Sequence, residues 1–85
     1  MTTLANIHLI TAIVDIALFL EFSSDDVIEP DAAVEAMEQI AGQLQQLDAE
    51  TKLDFINKLP LVAKGYKGEK AEFVQDLALA FGLTE

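Results

Sequence analysis

The sequence predicts an all-α fold, a compact bundle of about four helices forming a single domain over residues 1–85, and three observations carry that expectation. Apolar residues recur at helical spacing in four segments. Helix start and stop signals fall between those segments, with Pro30 and Asp48 opening two of them and Gly65 and Gly82 closing two. The only alternating stretches are short and sit inside helical patterns, so no strand is expected.

The first helix is predicted over about residues 3–22. Fourteen of the nineteen residues from Leu4 to Phe22 are apolar. At about 100° per residue, His8, Thr11 and Asp15 share one polar stripe about 60° wide, and large aliphatic and aromatic side chains take most of the remaining circumference. An ordinary surface helix has an apolar stripe only slightly above ~100°. This one is therefore expected to be surrounded on about three sides, by the bundle or by another copy. A spanning helix tolerates a central acid badly, and Asp15 in the middle, with His8 and Glu21 beside it, points to a buried helix and not a membrane segment. Met1-Thr2-Thr3 lacks the positive residues that open a secretory signal.

Phe22-Ser23-Ser24-Asp25-Asp26 ends that helix, and Ser24 or Asp25 caps one short turn through Val27 and Ile28. The second helix, about 30–47, begins with Pro30 at a position where a missing N–H has no partner to lose. Asp31 and Glu35 lie toward the positive end of its dipole. Val34, Met37, Ala41, Leu44 and Leu47 form its stripe, with Ala33 and Ile40 alongside. Asp48 caps the third helix, about 49–64, whose stripe is Leu53, Ile56 and Leu59 with Phe55 beside them, and which is expected to stop or kink at Pro60. A Gly65-Tyr66-Lys67-Gly68 turn leads to the fourth helix, about 69–81, with Phe73, Val74, Leu77, Ala80 and Phe81 inward and Gly82 as its stop.

Charge narrows the function classes. The net charge is −10, and residues 1–51 hold ten acids with no lysine or arginine, whereas residues 52–85 hold five acids and all five lysines. Nucleic acid and anionic membranes would be repelled by such a chain; a basic protein is the complementary partner. There is no cysteine and one histidine, so neither thiolate metal sites nor most acid–base devices are available, and the chain is not expected to be an enzyme or to carry a cofactor. Absence of cysteine fits a reducing, cytoplasmic setting.

Four groupings of side chains bear on chemistry. His8 and Asp15 are seven residues apart, about 10 Å along a helix, too far to pair, so His8, Thr11 and Asp15 read as a solvent-facing stripe. Asp25, Asp26, Glu29, Asp31 and Glu35 put five acids in eleven residues, but the run lacks the alternation and the glycine of a calcium loop. It reads instead as helix caps or, with Glu38, as a surface for a basic partner. Glu35 and Glu38 lack the companion histidines of a di-iron bundle. Tyr66, among Lys64, Lys67 and Lys70, is a binding residue if it projects from its turn, or a core contact if it folds back. Those lysines also offer a basic surface to the acidic half of a second copy.

An acidic carrier protein needs a serine at the start of its second helix, and Glu29-Pro30-Asp31-Ala32-Ala33 has none. In length, acidity and helix count the chain resembles the small immunity proteins that neutralise bacterial nuclease toxins. Of the Asp-x-x-x-Tyr-Tyr-Pro element of the colicin type, Asp54-Phe55-Ile56-Asn57-Lys58-Leu59-Pro60 keeps only the aspartate and the proline, so no site residue carries over. The resemblance implies an inhibitor of a basic protein such as a secreted toxin; the charge pattern and the Tyr66 turn, apart from the resemblance, offer Asp25, Asp26, Glu29, Asp31, Glu35, Glu38 and Tyr66 as the surface that would grip it. A homo-oligomeric scaffold or adaptor, a homodimer through the first helix, is the alternative.

Overall fold

The computed structural model describes residues 6–84, and among them five helices follow one another without a strand. Helix α1 (Ile7–Phe22) opens on Asn6, whose side chain accepts the His8 N–H at 2.7 Å; the expected start near Thr3 falls outside the described residues. After α1, the Ser24 carbonyl accepts from both Val27 and Ile28, closing the expected single turn.

Helix α2 (Pro30–Leu44) starts at Pro30 as expected. It stops three residues short of the expected Leu47, because Gln46 and Leu47 bond back three residues, to Gln43 and Leu44, and tighten the chain toward the next cap. That cap is Asp48, which accepts the Thr51 N–H at 2.7 Å and opens α3 (Ala49–Ala63). The hydrogen bonds from Thr51 hold the Asp48 carboxyl below its ordinary pKa.

Helix α3 passes through Pro60 and ends within one residue of the expected 64. It continues to Ala63, since the buried side chains of Leu59, Val62 and Ala63 hold both sides of the proline in the core while Pro60 itself faces solvent. Gly65 keeps a negative φ; the helix ends through bonds from Gly65 to Val62 and from Tyr66 to Ala63. The predicted fourth helix divides at Asp76 (φ −93°, ψ 2°) into α4 (Gly68–Gln75) and α5 (Leu77–Ala80). Gly82 is the stop that was expected. Its φ of +72° lets Leu83 N–H reach the Ala78 carbonyl at 2.8 Å and Gly82 N–H the Leu79 carbonyl at 3.0 Å, the paired bonds of a Schellman end.

One apolar cluster joins Ile10, Val14, Ala17 and Leu18 of α1 with Phe55, Leu59 and Val62 of α3 and Val74, Leu77 and Phe81 of the C-terminal pair. Helix α1 is the shared element, packing on α2, α3 and α4. Phe22 meets Phe73 edge-on, ring centroids 5.7 Å apart. Helix α2 rests mainly on α1, with one added tie: Gln45 Nε2 donates to the Phe81 carbonyl at 2.8 Å.

Several inward faces differ from expectation. Helix α1 is not enclosed on three sides: Leu9, Ile16 and Phe19 are 65%, 52% and 53% exposed. Helix α3 buries Phe55, Leu59 and Val62 and leaves Leu53 outside. Helix α2 buries only Ala33 and Leu44, with Val34 exposed. In α5, Ala78 is buried where Ala80 was expected. The common reason is a shortage of cover, since a chain of this size buries only about 60–65% of its unfolded surface.

Candidate functional site

Helix α2 lies along α1 with an indentation on each side of the contact. On one side a pocket of about 400 Å³ has an apolar floor of Leu20, Ile28, Ala33, Val34, Met37 and Phe81, and carboxylates from three elements at its rim: Glu21 at the end of α1, Asp25 in the following turn and Glu38 on α2. The sequence explains this convergence. The Ser24 turn brings Asp25 back beside the end of α1, and Pro30 sends α2 away immediately afterwards. Glu38 lies one turn after Val34 on α2, on the same face.

Asp25 and Glu38 are thus the two expected site residues that the fold brings together. Asp26, Glu29, Asp31 and Glu35 are exposed but outside the pocket lining, so they extend the negative surface around it. Glu21 was missed, having been read only as a charge bordering an apolar run. Its position at the last turn of α1, just before the Ser23-Ser24 corner, is the signal that could have found it. The apolar floor was read as core stripe, which it partly is.

No lysine among the described residues forms an ion pair with these acids. Among the described residues the one ion pair joins Lys58 to Asp54 at 3.0 Å, one turn apart on α3. The charge segregation seen in the sequence therefore persists in the fold. Among the described residues no group of three His, Asp or Glu side chains is placed to hold a metal ion, and no helix is long and apolar enough to cross a membrane.

Tyr66 does not project from its turn. It is half-buried against the core cluster, and its hydroxyl donates to Asp15 Oδ1 on α1. Burial first, and the Asp15 carboxylate second, push the phenol up to about 12. This places Asp15 in a clasp between α1 and the α3–α4 turn, while His8 remains exposed and Thr11 turns its hydroxyl back to the Ile7 carbonyl at 2.8 Å. Tyr66 is not part of the acid-rimmed pocket.

The other side of the α1–α2 contact is a groove of about 580 Å³ between Ile13, Ile16, Phe19 and Leu20 of α1 and Ala36, Ile40 and Leu44 of α2. Among the described residues, Gln39 and Gln43 are its polar lining.

Comparison with protein-family models, with curated proteins and with solved structures finds no match.

Proposed function

We propose that this chain is a non-catalytic protein-binding module, an acidic inhibitor of immunity or antitoxin type that takes a basic partner, such as a secreted toxin, at the acid-rimmed pocket. The observation that carries the reading is the pairing of an apolar floor with the carboxylates of Glu21, Asp25 and Glu38, none of which forms an ion pair with a cation among the described residues. A lysine or arginine side chain suits that combination, because its methylene stem packs on apolar surface while its head meets carboxylate. The surrounding Asp26, Glu29, Asp31 and Glu35 raise the local negative potential and speed encounter with a basic protein. The cytoplasm of the cell that makes the toxin is where such an inhibitor would act.

The test is capture of partners by the tagged chain from its native organism at low and high salt, beside a Glu21→Gln/Asp25→Asn/Glu38→Gln variant. A basic protein retained at low salt, released as salt rises and not retained by the variant is the expected result. Recovery of no basic protein at any salt, or equal recovery by the variant, would reject the proposal.

A further inference from the structure

We infer that the uncharged groove on the opposite side of α2 is a self-association surface, and that its occupant is α1 of a second copy of this chain. The argument starts from charge. In a half of the molecule that holds ten acids and no lysine or arginine, this groove has no charged lining residue among the described residues; its polar lining is Gln39 and Gln43. A basic partner finds nothing there to grip. An identical copy, repelled by like charge over the remainder of that half, meets no such penalty along this strip.

Geometry points to the same occupant. Leu9 extends the wall formed by Ile16 and Phe19, and with the exposed Ala12 the positions 9, 12, 16 and 19 make a stripe along α1, at the three- and four-residue intervals that seat one helix along another at a shallow angle. The stripe is nearly symmetric about its midpoint. An antiparallel two-fold pairing therefore sets Leu9 of one protomer near Phe19 of its partner, and the reverse contact forms at the other end, as an isologous interface requires. The face of two adjacent helices is roughly 22 Å long and about 20 Å wide, on the order of 450 Å² in projection and more once side-chain relief is counted. That approaches the ~600 Å² per partner at the low end of specific interfaces. The dimer is accordingly of modest affinity, and it leaves both acid-rimmed pockets open. Residual repulsion between two bodies of net charge −10 is screened by salt, so association tightens as salt rises.

Sedimentation of the full chain across about 1–500 µM, at low and high salt, tests this. A monomer–dimer equilibrium that tightens with salt is expected. Ile16→Glu should weaken it by roughly tenfold or more, because each interface then buries a carboxylate twice, while Leu79→Glu, at an exposed position outside the groove, leaves it unchanged. Because the chain has no cysteine, a mixture of Leu9→Cys and Phe19→Cys variants should oxidise mainly to the mixed disulfide. A monomer at every concentration, a dimer weakened by salt (the Lys64, Lys67 and Lys70 turn against an acidic half), or equal loss from Leu79→Glu would each overturn the inference.

Discussion

The two sides of α2 are built from the same helix pair yet differ in kind. Toward Met37 and Ala41 the apolar floor meets Glu21, Asp25 and Glu38; toward Ala36 and Ile40 it meets only Gln39 and Gln43. The difference arises because the helical period distributes Glu35, Glu38, Gln39 and Gln43 around α2 while the turn after α1 delivers Asp25 to one side alone. An apolar surface is therefore given two identities by a few neighbouring polar groups. One suits a cationic partner and the other an uncharged one, and salt should move them in opposite directions.

The largest expected effect comes from the residue that both sides share. Leu20 lines the pocket and the groove and is itself nearly buried. Leu20→Ala should destabilise the fold by about 2–4 kcal/mol in urea unfolding, and should weaken basic-partner capture and dimerisation together. Loss of one without the other would show that the two surfaces do not depend on a common wall.

The Tyr66–Asp15 clasp separates them more finely, since Asp15 lies on the exposed side of α1 near Phe19 and away from the acid-rimmed pocket. Tyr66→Phe should cost about 1 kcal/mol, at the modest end for a hydrogen bond to a charged group because the pair is partly solvated. It should disturb dimerisation before it disturbs capture. The clasp also has a pH signature. A phenol whose folded pKa is raised to about 12, against ~10 in the unfolded chain, contributes fully below pH ~10 and is lost as pH climbs from there through 12. With a single tyrosine and no tryptophan, tyrosinate absorbance reports that titration directly. Its midpoint should fall only part of the way in Asp15→Asn, because burial, the larger cause, remains.

The smallest effect is expected at Asp48, which touches neither surface. Its depressed carboxyl contributes stability above its ordinary pKa of 3.8 that disappears as pH falls through the lower folded value. Asp48→Ala should lower the melting temperature by a few degrees at neutral pH. Asp48→Asn should keep most of it and flatten the acid limb, with both binding activities intact. A change in capture by either variant would mean that the α2–α3 corner belongs to the partner surface.

Local chemistry was readable residue by residue: the Asp48 cap, Pro30 at the head of α2, the short turn after Ser24 and the Gly82 stop all lie where neighbouring residues demand them. The errors are those that require knowing a neighbour. Helix α3 spans Pro60, close to the expected 49–64, with Leu59 and Val62 held by other helices, but α4 parts from α5 at Asp76 although nothing in the apolar spacing announces it. Spacing gives α3 a stripe of Leu53, Ile56 and Leu59 with Phe55 beside them, whereas the core centres on Phe55, Leu59 and Val62 and leaves Leu53 outside, a rotation of the helix that spacing alone leaves open. Of the candidate site, the acids were legible as a set, but not the selection of Asp25 and Glu38 from among them, nor the addition of Glu21.

By itself, then, the sequence determined that the chain is helical, where most helices begin, and that the negative charge is gathered in the first half, since backbone capping, helical periodicity and composition act over a few residues. Only the tertiary structure decided which apolar side chains stay uncovered and which carboxylates share a rim. Those outcomes depend on how many helices are available to cover α1, and on which side of it each one lies.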